Sequence, residues 1–99
     1  MLTILAALAL AAQPVQETLD QKCGAIGGMA ASVMKSRQAE VPMHKVMAST
    51  EGFPPELKKA LQDMVRQAYA RPSYYTPEMK ADEVNRFRNE WEAACYNAK

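Results

Sequence analysis

The chain has 99 residues, of which 12 are basic and 11 acidic, so its formal net charge is +1 at pH 7. This balance argues against a protein that binds nucleic acid or an anionic membrane through charge. The length is that of one small domain, for which a hydrophobic core alone supplies only a few kcal/mol of net stability.

The chain begins with an apolar segment from Leu2 to Ala12. It is too short to span a bilayer, which takes about 20 apolar residues, but it suits the apolar region of a secretory signal. We therefore expect residues 1–12 to be a cleavable signal peptide and residues 13–99 to be a single helical domain, periplasmic or secreted. The alternative is a retained apolar helix that packs on the body of the protein or lies at a membrane surface.

Helical periodicity dominates after this segment, and no stretch alternates as a half-buried strand does. The first helix begins at a capping box between Thr18 and Gln21. Its apolar stripe carries Leu19, Cys23, Ile26, Ala30 and Val33. Glycine inside a helix costs about 1 kcal/mol against Ala, so we expect this cost to be offset at Gly27 by close approach of the backbone of the last helix. In the alternative, Gly24 and Gly28 dock a partner.

Two helices are predicted in the middle of the chain. A short one opens with Pro42 in its first turn, and we expect it to act as a lid or connector. A longer one starts within Phe53-Pro54-Pro55-Glu56 and stops before Arg71-Pro72. The apolar face of this third helix carries Leu57, Leu61, Met64, Val65 and Ala68.

The last helix has the clearest start, with Thr76 as N-cap, Pro77 at the first helical position and Glu78 in the first turn. One face then carries Val84, Phe87, Trp91, Ala94 and Cys95. We expect Trp91 to be buried on this face.

The two cysteines, Cys23 and Cys95, both fall on apolar helix faces. We therefore expect an all-α fold, a small bundle of about four helices with one disulfide joining the first and last helices. In the chain-entropy model that bond contributes on the order of 4 kcal/mol.

The loop between the last two helices concentrates residue types that dominate protein interfaces. It reads Tyr69-Ala70-Arg71-Pro72-Ser73-Tyr74-Tyr75. Tyr and Arg are frequent interface hot spots, and binding residues tend to lie on loops held by a rigid scaffold. The candidate partner-binding residues are Arg71, Tyr74 and Tyr75, of which Tyr75 is expected to be the most exposed. In the alternative, Tyr69 and Tyr74 pack under the loop and tie the third helix to the fourth.

No pattern in the chain predicts catalysis, a metal site or a cofactor. The carboxylates lie on solvated helix faces, and His44 is the sole histidine. We therefore expect no enzyme, no catalytic or metal-binding residue and no cofactor. The methionines after the signal are interpreted as core filler, and the alternative is a Met-lined groove for peptides or unfolded chains.

Several of these positions together carry a resemblance. They are Cys23, Arg37-Gln38, Pro42-Met43, Ala68-Tyr69-x-x-Pro72-x-Tyr74, Phe87, Trp91 and Cys95. The chain resembles a loose group of uncharacterised, signal-bearing, two-cysteine helical proteins of proteobacteria and their phages. In architecture alone it is also similar to small periplasmic acid-stress chaperones.

The function expected from the sequence is binding of another protein. The leading hypothesis is a monomer or dimer that binds one envelope or periplasmic protein, as an inhibitor, an escort, or a phage-encoded exclusion or lysis-control factor. We expect no nucleic acid partner and no stable membrane insertion after signal cleavage. The alternative is a general periplasmic holdase chaperone.

Overall fold

The computed structural model describes residues 17–98, which form four α-helices and no strand. The helices are α1 (Leu19–Gln38), α2 (Met43–Ala48), α3 (Pro55–Tyr69) and α4 (Pro77–Asn97). The predicted all-α fold class is confirmed. The predicted signal at residues 1–12 lies outside the described residues. None of the four helices is both long enough and apolar enough to cross a bilayer.

The helix starts follow the local sequence closely. Thr18 and Gln21 form the predicted capping box at α1. Thr76 caps α4 by accepting a hydrogen bond from the backbone N–H of Met79, and Pro77 is the first helical residue. Pro42 lies one position earlier than expected, because it is the N-cap residue of α2 and the helix begins at Met43.

α1 ends in a left-handed turn at a residue other than glycine. Glu40 has φ = 60°. The backbone N–H of Glu40 donates to the carbonyl of Arg37, and that of Val41 donates to the carbonyl of Ser36, each over 3.0 Å. This is the hydrogen-bond pattern of a Schellman motif, in which glycine normally takes the left-handed position. The turn directs the chain from α1 into α2.

α1 is the central helix of the fold. It packs most extensively against α4 and next against α3, while the short α2 connects to both α1 and α3. The buried core cluster consists of Ala30, Ala31 and Met34 from α1, Leu61, Met64 and Ala68 from α3, and Val84 and Phe87 from α4. Small alanines on α1 let both neighbouring helices approach it closely, and the methionines fill the space between them.

A disulfide between Cys23 and Cys95 joins the first and last helices, as predicted, with the two Cα atoms 5.5 Å apart. Tyr96 supports the same junction, because its hydroxyl donates a 2.6 Å hydrogen bond to Asp20. That hydrogen bond raises the pKa of Tyr96 above its usual 10.0. The start of α1 and the end of α4 are therefore joined by a covalent bond and by a polar contact.

Two expectations about the α1–α4 contact need correction. Trp91 is half-buried, not buried, and its ring meets that of Phe87 edge to face with the centroids 6.4 Å apart. Gly27 does face α4, but a Cβ there would overlap the side chain of Glu92, so the close approach is to a side chain and not to a backbone. Trp91 covers the edge of the core and does not fill its centre.

Candidate functional site

The loop between α3 and α4 is held in place by the last two residues of α1. Nε of Arg37 donates to the carbonyl of Arg71 over 2.9 Å, and Nε2 of Gln38 donates to the carbonyl of Pro72 over 3.0 Å. Oε1 of Gln38 in turn accepts a hydrogen bond from the backbone N–H of Tyr74 at 2.9 Å. Side chains of α1 thus replace the backbone partners that the loop itself lacks.

Gln38 also uses its backbone carbonyl to reach α4. This carbonyl lies at the end of α1, where helical partners run out. It accepts a 2.6 Å hydrogen bond from Nζ of Lys80 and a longer one from the hydroxyl of Ser73. Gln38 is only 4% exposed. One buried polar residue therefore connects α1, the loop and the first turns of α4.

Tyr69, the last residue of α3, is fixed from two sides. Its hydroxyl donates to the carbonyl of Val41, and the guanidinium of Arg37 lies over its ring, 5.4 Å from the centroid. Burial raises the pKa of Tyr69 above its usual 10.0, although the charge of Arg37 acts against this rise. These contacts tie Tyr69 to the end of α1 and to the connection between α1 and α2.

Arg71 turns inward and joins the loop to α4. Its guanidinium pairs with Glu83 at 2.8 Å and Glu90 at 2.5 Å, and it lies 4.9 Å from the ring centroid of Phe87. Burial alone would lower the pKa of Arg71, but the hydrogen bonds with both carboxylates and their negative charges together outweigh burial and raise the pKa. Glu83 is 3% exposed and also lies 3.4 Å from Arg86. Arg71 is thus engaged in the fold, with part of its side chain at the surface.

The two remaining candidates differ in exposure. Tyr74 is half-buried and lines a small cleft of about 230 Å³ with Met79, Asp82 and Arg86. Tyr75 is 96% exposed. The structure therefore brings all three candidates onto one loop, but Tyr75 alone among them presents a whole side chain to solvent.

Two open grooves lie on either side of α1. One, of about 450 Å³, runs between α1 and α4 and is lined by Lys35, Gln38, Ala39, Lys80, Ala81, Val84 and Asn85. The other, of about 390 Å³, lies between α1, α2 and α3, where Met29, Val33 and Phe53 are among the lining residues. Gly28 borders this second groove with open space where its Cβ would be. The grooves supply apolar surface that the core does not use.

The site offers one exposed aromatic side chain and open apolar grooves. In the described part of the chain, no three His, Cys, Asp or Glu side chains are grouped closely enough to hold a metal ion. His44, on α2, is exposed. A tyrosine on a fixed loop and grooves with apolar floors suit contact with another molecule.

Gln38 is the main residue that the sequence interpretation missed. It lies four residues after Met34 and eight after Ala30, so it continues the buried stripe of α1. A glutamine in phase with such a stripe is a signal for a buried polar contact, since buried amides are hydrogen-bonded. The stretch Arg37-Gln38 and the Tyr69, Pro72 and Tyr74 positions that carried the resemblance all meet in this one cluster.

Comparison with known proteins gives no assignment, because no family model, no curated protein and no solved structure matches the chain.

Proposed function

We propose that the chain is an exported helical protein that binds another protein in the bacterial periplasm, with Tyr75 as an anchor of the contact. The observation that carries the proposal is a tyrosine 96% exposed on a loop whose flanking backbone is fixed by Arg37 and Gln38. Tyrosine offers a large contact area at low entropy cost, and a loop already ordered loses little further freedom on binding.

Export is supported by two independent features. The apolar segment from Leu2 to Ala12 has the length of a signal region, and the disulfide between Cys23 and Cys95 requires an oxidising compartment to persist. The partner is then an envelope or periplasmic protein, which the chain inhibits or escorts. A phage-encoded exclusion or lysis-control factor is a special case of this role.

The proposal is tested by capture from an envelope extract with the tagged protein. Tyr75→Ala should weaken recovery of one partner by about 1 to 2 kcal/mol, or roughly 5- to 30-fold in affinity, because hot-spot tyrosines carry energies of this size. Tyr75→Phe should keep most of the binding. Leu19→Ala is the control, since Leu19 is 56% exposed and lies at the opposite end of α1 from Arg37 and Gln38, which hold the loop. Equal recovery by Tyr75→Ala and wild type would contradict the anchor role.

The second candidate, a general holdase chaperone, is favoured by the groove between α1, α2 and α3. Its lining residues Met29 and Val33 are half-buried, and Phe53 beside them is 40% exposed. Flexible apolar surface of this kind re-packs against varied clients. In strong acid the 11 carboxylates of the chain would be neutralised, so its 12 basic groups would repel one another and loosen the packing of the helices.

A holdase and a specific binder respond differently to acid. The holdase should bind a hydrophobic dye between about pH 2 and pH 4 and protect several unrelated clients from aggregation. A specific binder should stay compact and protect none. Tyr75→Ala should leave holdase activity unchanged, so the same variant separates the two functions.

A further inference from the structure

Among the apolar surfaces of the molecule, the groove between α1 and α4 has a distinct charge. Two of its lining residues are charged, and both are lysines, Lys35 on α1 and Lys80 on α4. Its uncharged floor includes Ala39, Ala81 and Val84. No acidic side chain of residues 17–98 lines it. The groove therefore combines an apolar floor with positively charged walls, although the chain as a whole is close to neutral.

Arg88, further along α4, lies beyond the groove and is paired with Glu92 at 3.8 Å. Arg88 lies one turn after Asn85, a lining residue, and donates a 2.8 Å hydrogen bond to its side-chain oxygen. Lys80 is fixed at the other end by its hydrogen bond to the carbonyl of Gln38. The positive charge at the groove itself therefore comes from Lys80 on α4 and Lys35 on α1.

We propose that this groove binds an acidic amphipathic segment of the partner protein, with its apolar side chains on Ala81 and Val84 and its carboxylates at Lys35 and Lys80. The proposal rests on the protein-binding function and gives the chemistry of the partner. Complementary charge selects the partner and speeds association, while the apolar floor supplies contact area. The groove borders Gln38, so one segment can contact the groove while the loop that carries Tyr75 engages the same partner.

The test uses the protein that is recovered after expression of the full chain. Peptides of 12 residues that bind this protein are selected from a random displayed library. The selected peptides should be enriched in Asp and Glu next to apolar residues. Ala81→Glu, which places a carboxylate and extra volume in the groove, should weaken their binding at least 10-fold. Ala93→Glu is the matched control, because Ala93 is exposed on the same helix outside the groove, and it should leave binding unchanged.

A second pair of variants tests the charge without adding volume. Lys35→Gln should weaken binding of the same peptides about 3- to 10-fold and flatten its dependence on salt, whereas Lys59→Gln, on the exposed face of α3, should do neither. Circular dichroism shows whether each variant is folded. If Ala81→Glu does not fold, the effect of Lys35→Gln on peptide binding tests the groove instead.

Three outcomes would overturn the inference. The first is that the selected peptides lack acidic residues, and the second is that Ala81→Glu and Ala93→Glu bind them equally. The third is that dodecanoate, an anionic fatty acid, binds in the groove while no peptide does. The proposed function is judged separately by capture from extract. If a partner is captured through Tyr75 and Ala81→Glu has no effect on that capture, protein binding stands and only the role of the groove is rejected.

Discussion

Gln38 and Tyr74 lie 36 residues apart and are joined by a 2.9 Å hydrogen bond, in which the side-chain oxygen of Gln38 accepts from the backbone N–H of Tyr74. The same side chain donates to the carbonyl of Pro72. One amide thus satisfies a donor and an acceptor of the loop backbone, and the conformation of the loop depends on the position of α1.

Gln38→Leu should lower the free energy of unfolding by about 2 to 3 kcal/mol, because it leaves loop backbone groups without their buried partners while nearly keeping the volume. Urea unfolding measures the loss, and hydrogen exchange at the amide of Tyr74 should become faster. Gln67→Leu, on the exposed surface of α3, should change stability by less than about 0.5 kcal/mol. Equal effects of the two changes would show that the Gln38 contacts do not hold the loop.

Glu40→Gly should stabilise the protein by about 0.5 to 1 kcal/mol. Glu40 holds φ = 60°, a conformation that costs a side-chain-bearing residue about 1 to 2 kcal/mol, whereas glycine adopts it freely at a smaller cost in unfolded-chain entropy. Thermal and urea unfolding measure the change. Glu40→Ala is the control and should not stabilise, because alanine keeps the Cβ that opposes the left-handed turn.

The corrected position of Trp91 reverses the expected ranking of two aromatic substitutions. Phe87 is fully buried, so Phe87→Ala should cost about 3 to 5 kcal/mol. Trp91 is half-buried at the edge of the core, so Trp91→Ala should cost less, roughly 1.5 to 3 kcal/mol. Urea unfolding of both variants gives the order. A larger loss for Trp91→Ala would mean that the ring is more deeply packed than its exposure indicates.

The helices and the disulfide were predictable because each depends on local signals. Thr18, Thr76 and Pro77 mark helix starts through capping chemistry. Cys23 and Cys95 fall on apolar stripes, and two such stripes can share one core. An apolar stripe, however, shows which way a side chain faces but not how deeply it is buried. It therefore predicted that Trp91 faces the core, but not that the ring lies at the edge of the core.

The candidate site was predictable only in part. Aromatic and arginine content correctly indicated an unusual loop, and the exposure of Tyr75 follows the prediction. The partners of Arg71 were not predictable, because Arg71 lies on the loop whereas Glu83 and Glu90 lie on α4. The distance from Arg71 to these carboxylates depends on how α4 packs against the loop. The α1–α4 groove was not predictable for the same reason, since Lys35 and Lys80 come to line one groove only in the folded chain.

Tyr69 should make the protein less stable at high pH. Its pKa in the folded state is raised above 10.0, so the folded protein holds the hydroxyl proton more tightly than the unfolded chain does. The resulting stability is fully present below pH 10 and is lost as the pH rises through the folded-state pKa. Urea midpoints measured from pH 8 to pH 12 should therefore fall less steeply for Tyr69→Phe than for wild type. Parallel curves would show that Tyr69 does not contribute to the alkaline loss.

Export and oxidation should both be visible in the mass of the protein. Material recovered from the periplasm should lack the first 11 or 12 residues, as expected for cleavage by signal peptidase within the small-residue pattern Ala9-Leu10-Ala11-Ala12. It should also be lighter by two hydrogens than the reduced chain, because Cys23 and Cys95 are bonded. Replacing both cysteines by alanine should lower stability by about 2 to 5 kcal/mol without changing the helices. A full-length, reduced protein found in the cytoplasm would contradict the export proposal, and the periplasmic partner would then have to be abandoned with it.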